Sequence, residues 1–148
     1  MTADIPRPPR RVLVDTNVVL DVLLEREPWV EASARLFGAV ATGQVTGVLA
    51  AHAVTTAYYV YQQGRGREAG LAGLERLLRL FDVAAVGRVE LMGALSSGFS
   101  DYEDGVVHEA AVTSQCEGIV TRNGPDFAGS VLPVYSPGEL LAVLTAAG

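Results

Sequence analysis

The stretch Arg-Val-Leu-Val-Asp-Thr-Asn at residues 11–17 decides the fold of this chain. Residues 12–14 are apolar and β-favouring, and this run ends at Asp15. The apolar residues after Asn17 have the composition of a buried helix. We therefore predict a buried strand that stops at Asp15 and turns directly into a helix over residues 17–25. In open α/β sheets, ligands bind at the carboxyl ends of such strands.

Asp15 has two interpretations at this position. A carboxylate buried at a strand end is costly without a partner, so Asp15 needs a metal ion, a positive ligand or hydrogen-bond donors. The alternative is that Asp15 or Asn17 simply caps the following helix. The stretch alone leaves both interpretations open.

Composition indicates one ordinary globular domain. The chain has 148 residues, of which 49% are hydrophobic and 19% are charged. It has no apolar run of about 18 residues, so no transmembrane helix is predicted. The first residues lack the apolar core of a secretory signal. The single Cys116 is expected to be a small buried hydrophobe, which suits a reducing, cytoplasmic location.

The charge pattern restricts the possible functions. The net charge of −6 argues against a strongly basic nucleic-acid binder, although a nuclease that holds metal ions with carboxylates can be acidic overall. All eleven basic residues are arginine. The absence of lysine excludes a P-loop and any Schiff-base mechanism.

Strands and helices alternate along the predicted chain. Residues 1–10 hold three of the seven prolines and are predicted to form a flexible arm, and residues 11–148 to form a single domain. After the first helix, the predicted elements are a helix with Pro28 in its first turn, a strand at 48–50, helices at 52–63 and 68–80, a strand at 83–85, helices at 88–97 and about 101–115, strands at 118–120 and 132–134, and a last helix capped by Ser136. This alternation predicts a parallel sheet with helices on both faces. Pro133 places the fifth strand at an edge.

Acids and amides follow two predicted strands and begin one predicted helix. They are Asp15 and Asn17, Asp101 and Asp104, and Asn123 and Asp126. In a doubly wound sheet these positions can converge at one edge, and a divalent cation is the simplest compensation for their crowded charge. For Asp101 alone, an ordinary acid at a helix N-terminus is the simpler interpretation, and Ser100 and Glu103 have the spacing of a capping box. Such a metal site suits phosphodiester hydrolysis by a metal-activated water.

Three segments carry a resemblance to a known family. They are Val-Asp-Thr-Asn at 14–17, Phe-Ser-Asp-Tyr-Glu-Asp-Gly at 99–105 and Ile-Val-Thr-Arg-Asn-Gly-Pro-Asp-Phe at 119–127. Together, in this order and spacing, the sequence resembles the PIN-domain family. The resemblance implies a three-layer α/β/α fold with a central, mostly parallel sheet of four to five strands. It also implies metal-dependent cleavage of RNA by a VapC-like toxin, often a homodimer, with a cognate antitoxin.

The resemblance assigns roles residue by residue. Asp15, Asp104 and Asp126 would be catalytic and would hold Mg²⁺ or Mn²⁺, and Asp101 and Asn123 would assist as metal ligands. Asn123 stands where the common pattern has an acid, and Asp126 just beyond it would take over. The supporting residues would be Thr16, Asn17 and Thr121. Independently of the resemblance, arginines concentrate positive charge around the predicted helix at 68–80, which is either a solvated outer face or an RNA-backbone surface. The expected RNA contacts are Arg65, Arg67 and Arg122.

One departure from the family pattern keeps a second function open. Family members usually carry an acid in the helix after the second strand, but residues 51–59 hold none, and Thr56 is the nearest match. His52, on the same helix, is a candidate ligand or a surface or capping residue. His108, one turn beyond Asp104, could orient that carboxylate. The two readings are a metal-dependent endoribonuclease and a degenerate PIN-like module that binds RNA or protein. A phosphatase of the haloacid dehalogenase type fits poorly, because position 17 is Asn and lysine is absent.

Overall fold

The strand that ends before Asp15 lies at the centre of a five-stranded sheet. The computed structural model describes residues 7–148. Within them the elements are β1 (Arg11–Val14), α1 (Thr16–Leu23), α2 (Val30–Ala41), β2 (Thr46–Ala50), α3 (Ala51–Arg65), α4 (Arg67–Leu80), β3 (Asp82–Ala84), α5 (Arg88–Leu95), α6 (Tyr102–Thr113), β4 (Gly118–Val120), a short 3₁₀ helix (Gly124–Phe127), β5 (Val134–Tyr135) and α7 (Pro137–Ala147). The strand order is β3-β2-β1-β4-β5, and every pairing is parallel.

The register of β1 determines which residues lie beside its carboxyl end. Leu13 pairs with Ile119 of β4, and Val14 pairs with Val120. The Asp15 N–H then donates to the Val120 carbonyl oxygen at 2.9 Å. Because β1 and β4 are parallel, their carboxyl ends lie at the same edge of the sheet. Strand order reverses across β1, so this is the point at which open α/β sheets bind ligands.

Alternating side chains of β1 pack against two layers of helices. Val12 and Val14 are buried in one hydrophobic cluster with residues of α1, α2 and α7, among them Val18, Leu36 and Leu140. Leu13 packs on the opposite face in a second cluster with residues of α6 such as Val107 and Ala110. These two clusters confirm the predicted three-layer α/β/α fold.

Several predicted elements begin one or two residues away from the observed ones, and two of these differences involve a proline. Pro28 was expected in the first turn of a helix, but α2 begins at Val30, because a turn in which Trp29 and Val30 donate to the Arg26 carbonyl precedes it. The fifth strand starts at Val134 rather than at residue 132, because Pro133 has no N–H for the ladder. Its predicted place at the edge of the sheet is confirmed.

The chain ends and the single cysteine complete the fold. Residues 1–6 of the predicted arm lie outside the described residues; of the rest, Arg10 donates its N–H to Glu117 Oε1 at 2.7 Å. Cys116 is buried, as predicted. Within residues 7–148, no helix is both long enough and apolar enough to cross a membrane.

Candidate metal centre

Asp15 is buried at the junction of β1 and α1, and its hydrogen-bond donors within residues 7–148 are neutral. The side chain is 8% exposed. The Thr121 hydroxyl donates to Asp15 Oδ2 at 2.9 Å, and the Thr16 N–H donates to Oδ1 at 2.9 Å. Asp15 is therefore the N-cap residue of α1, one of the two roles left open by the sequence. Capping leaves its charge without a cationic partner among these contacts.

Thr121 links Asp15 to the loop after β4. Its hydroxyl is almost fully buried, and it accepts hydrogen bonds from the Asn123 N–H at 3.1 Å and from Asn17 Nδ2 at 3.5 Å. The hydroxyl proton is thereby directed toward Asp15. Asn17 Oδ1 also accepts from the Arg122 N–H at 3.3 Å. The side chains of Thr121 and Asn17 thus hold the Asp15 carboxylate and the β4 loop together.

The first turn of α6 carries three acids. Asp101 is the N-cap residue, and its Oδ1 accepts from the Asp104 N–H at 3.0 Å. The predicted capping box of Ser100 and Glu103 is therefore wrong. The N-cap residue is Asp101, whose carboxylate accepts the hydrogen bond from the Asp104 N–H at the start of the helix. One carboxylate oxygen from each of Asp101, Glu103 and Asp104 lies within 4.8 Å of the others.

The cluster is negative, and this changes its proton affinities. Burial raises the pKa of Asp15 above its ordinary value; the Thr121 and Thr16 hydrogen bonds oppose the shift, and the charges of Glu103 and Asp126 add to it. Burial, with the charges of Asp101, Asp15, Glu103 and Asp126, raises the pKa of Asp104 to about 7. Every charge in these two sets is negative. Both carboxyls therefore hold protons unusually well while no cation is bound.

The predicted acids converge, although not at equal distances. The charges of Asp101, Asp15 and Asp126 act on Asp104, and the charge of Asp126 acts on Asp15. Within residues 7–148, Asp15 and Asp126 lie outside the group of three whose oxygens are within 4.8 Å. Asp126 is exposed in the 3₁₀ helix, and its N–H donates to the carbonyl of Asn123, which is also exposed.

These residues fit a divalent cation. The donor set consists of carboxylate oxygens with nearby hydroxyl and amide oxygens, the ligands that Mg²⁺ and Mn²⁺ prefer. Thr16 Oγ1 is also buried and has no hydrogen-bond partner among the residues that the structure describes. A cation would favour the ionised form of Asp104, whose pKa is raised by burial and by the neighbouring acids.

Two of the three predicted RNA contacts, Arg65 and Arg67, lie apart from this cluster, whereas Arg122 follows Thr121 in the loop after β4. α3 begins at the carboxyl end of β2 and has 15 residues, a length of about 22 Å, so Arg65 at its end and Arg67 beyond it are far from the acids. The Arg122 side chain donates from Nε and Nη2 to Asp21 at 2.9 and 3.2 Å and stacks on Trp29 at 3.9 Å.

His108 has a structural place rather than the predicted orienting one. Its ring is buried and packs beside Phe99, with 4.9 Å between ring centroids. Its Nε2 accepts a hydrogen bond from the Val131 N–H at 3.2 Å. Burial lowers the pKa of His108, so the neutral ring joins α6 to the loop before β5.

Comparison with known families identifies the fold that carries this site. A family model described as PIN domain matches residues 11–124. The chain belongs to the PIN domain family. Comparison with curated proteins gave no significant match to this PIN domain.

Several solved structures share the fold of this PIN domain at low sequence identity. VapBC2 from Rickettsia felis, bound to a DNA fragment from their promoter, is 12% identical with a TM-score of 0.63, over 84% of this chain and 98% of that chain. FitAcB from Neisseria gonorrhoeae is 18% identical with a TM-score of 0.63, over 86% and 98%. VapC20 from Mycobacterium tuberculosis, a Sarcin-Ricin loop cleaving toxin, is 11% identical with a TM-score of 0.57, over 73% and 86%.

Sequence reasoning missed one acid of this PIN domain and its partner. Glu103 lies with Asp101 and Asp104, and its Oε1 is 3.0 Å from His52 Nε2 on α3. Three acids within four residues could have indicated a role for Glu103 in the site. Its spacing from Ser100 instead led to the prediction of a capping box. The contact with His52 joins residues far apart in the chain and has no local sequence signature.

Proposed function

We propose that this PIN domain is a metal-dependent endoribonuclease that acts in the cytoplasm as the VapC-like toxin of a toxin–antitoxin pair. The observation that carries the proposal is the buried Asp15 carboxylate, whose donors within residues 7–148 are neutral and which is under the influence of the Glu103 and Asp126 charges. Such a site favours a divalent cation and, through it, a phosphodiester. Family membership and the fold shared with the VapC20 toxin support the same function.

Each residue of the site has a separable role in this proposal. Asp15, Asp104 and Asp126 would hold Mg²⁺ or Mn²⁺, and Asp101 and Asn123 would assist. A bound divalent cation supplies charge to the scissile phosphate and lowers the pKa of a coordinated water. Thr121, with Asn17, fixes the orientation of Asp15, and the Thr16 N–H stabilises its ionised form.

RNA cleavage tests the proposed activity. The purified protein should cleave RNA with Mg²⁺ or Mn²⁺ and stop when EDTA is added. Asp15→Asn should abolish cleavage while the circular dichroism spectrum stays unchanged. Cleavage that survives both EDTA and this substitution would refute a metal-dependent mechanism.

A second candidate is a PIN domain that binds RNA or protein without cleaving RNA. The observation that favours it is that α3 carries no carboxylate, and position 56 holds an exposed threonine. Calorimetric titration with Mn²⁺ separates the two functions. Tight binding that is lost in Asp104→Ala would reject the non-catalytic candidate, and absence of Mn²⁺ binding would favour it.

We also propose two protein partners. The names VapBC2 and FitAB, carried by similar structures, support a cognate antitoxin, which the product of the neighbouring reading frame should supply. For a homodimer, α5 exposes four apolar side chains, Val89, Leu91, Met92 and Leu95. Co-purification with the neighbouring gene product tests the first partner. Light scattering of wild type and Met92→Glu tests the second, with a shift from dimer to monomer expected.

A further inference from the structure

His52 and Glu103 make a contact that joins α3 to the acidic turn of α6. His52 lies in the first turn of α3, directly after the carboxyl end of β2, and Glu103 lies in the first turn of α6. His52 Nε2 and Glu103 Oε1 are 3.0 Å apart, and their side chains are 30% and 52% exposed. This contact holds Glu103 on the side of the cluster that faces α3.

α3 contributes no acid of its own to the site. Residues Ala51–Arg65 contain no Asp or Glu, so α3 contacts the cluster through the His52 side chain, which lies against Glu103. Thr56 lies one helical turn beyond His52, is exposed, and donates its hydroxyl proton to the His52 carbonyl at 3.2 Å. Positions 52 and 56 therefore share a face of α3.

The charge of Glu103 reaches two acids of the proposed centre. It contributes to the raised pKa of Asp15 and to that of Asp104. One of its oxygens also lies within 4.8 Å of oxygens of Asp101 and Asp104. Glu103 thus contacts His52 and lies close to Asp104, one of the acids to which the proposed function gives the metal.

An ordinary surface ion pair would explain the His52 contact but not its surroundings. Exposed pairs contribute little to stability, and a like-charged neighbour reduces that contribution. Glu103 is half-exposed, but one of its oxygens lies within 4.8 Å of oxygens of two other carboxylates, Asp101 and Asp104. Carboxylates that bind metals are commonly held by a hydrogen-bond donor behind them, and the His52 imidazole has that position.

We propose that Glu103 is a metal-holding residue of the centre and that His52 is its positioning residue. This inference rests on the proposed function. Glu103 would supply, from α6, the carboxylate that α3 lacks. The His52 contact uses Oε1, and His52 Nε2 donates to it when the proton is on that nitrogen.

Calorimetric titration of metal-stripped protein with Mn²⁺ tests this assignment without using activity. Glu103→Gln should weaken Mn²⁺ binding by at least about ten-fold. His52→Ala should weaken it less, and His52→Gln, which keeps an N–H donor, should restore it. Thr56→Glu in the Glu103→Gln background should also recover affinity. The matched control is Glu109→Gln, which removes an acid from the same helix and should bind as wild type does.

The outcomes separate this inference from the function on which it rests. Wild-type affinity in Glu103→Gln, with binding lost in Asp104→Asn, would overturn the role of Glu103 and leave the metal centre standing. Wild-type affinity in both variants would overturn the metal centre as well. Equal affinities of His52→Ala and wild type would remove the positioning role of His52. Circular dichroism and thermal melting of each variant exclude loss of fold as the cause.

Discussion

Asp15 and Asp21 are two buried aspartates of the same segment with opposite surroundings. Asp21, within α1, is fully buried, and its two oxygens accept from Arg122 at 2.9 and 3.2 Å, with Arg26 Nη1 at 3.8 Å. Asp15, at the start of α1, receives a hydroxyl and an N–H, and its charged neighbours are acids. Within residues 7–148, the Asp21 carboxylate is neutralised by arginines, and the Asp15 carboxylate is not.

This difference shows how a structural acid can be distinguished from a functional one. A buried charge is tolerated when it has an opposite charge and hydrogen bonds, which Asp21 has. Asp15 has the hydrogen bonds without the opposite charge, so it depends on a proton or an external cation. Burial alone does not separate the two aspartates, because both are buried. The charge of the hydrogen-bond donors separates them, because Asp21 accepts from an arginine and Asp15 accepts from neutral groups.

The largest effect should come from neutralising an acid in the cluster. Asp104→Asn should reduce metal-dependent RNA cleavage roughly 1,000-fold, because it removes a preorganised charge from the centre. Initial rates on a fluorescent RNA measure this loss. Glu109→Gln on the same helix is the control and should retain wild-type activity. A loss of less than about ten-fold in Asp104→Asn would contradict the role of this carboxylate.

Breaking the ion pair between Asp21 and Arg122 should lower the stability of the fold. Arg122→Met leaves Asp21 buried with Arg26 at 3.8 Å as its remaining cationic partner, and should lower the free energy of unfolding by about 3 kcal/mol. Urea denaturation measures this change. Adding Asp21→Asn should remove much of the loss, because no buried carboxylate is then left unpaired. Strictly additive losses in the double variant would show that the two side chains are not coupled.

The stability of the metal-free protein should fall as pH rises. The pKa of Asp104 is raised from 3.8 to about 7, so between these values the folded protein holds a proton that the unfolded chain has released. The free energy of unfolding should therefore decrease from about pH 4 to about pH 7 and then level off. Thermal melting in EDTA measures this trend, and Asp104→Asn should flatten it. Because Asp104 is half-buried, the slope should be modest.

The strand ends of this PIN domain could be predicted from sequence, but its side-chain partners could not. A short apolar run that ends at an acid follows a local rule, and parallel topology brings the ends of β1 and β4 together, so Asp15, Asp104 and Asp126 were expected to converge. The pairs Asp21–Arg122 and His52–Glu103 join distant segments and depend on helix orientation. For the same reason, Glu103 was assigned to a cap that Asp101 forms.

The smallest effect should come from the arginines far from the acids. Arg65→Ser with Arg67→Ser should weaken RNA binding several-fold and reduce the slope of log affinity against log salt by about 1.4, if both side chains contact phosphates of single-stranded RNA. Fluorescence anisotropy at four salt concentrations, with EDTA present to prevent cleavage, measures the slope. An unchanged slope would remove Arg65 and Arg67 from the RNA-binding surface.

The most direct test uses calorimetry on metal-stripped protein to compare Mn²⁺ binding by the wild type with binding by variants of Asp15 and Asp21. The wild type should bind Mn²⁺, Asp15→Asn should bind it at least about ten-fold more weakly, and folded Asp21→Asn should bind it as the wild type does. Absence of binding by the wild type, or equal binding by the wild type and Asp15→Asn, would contradict the claim that the unneutralised carboxylate marks a metal centre.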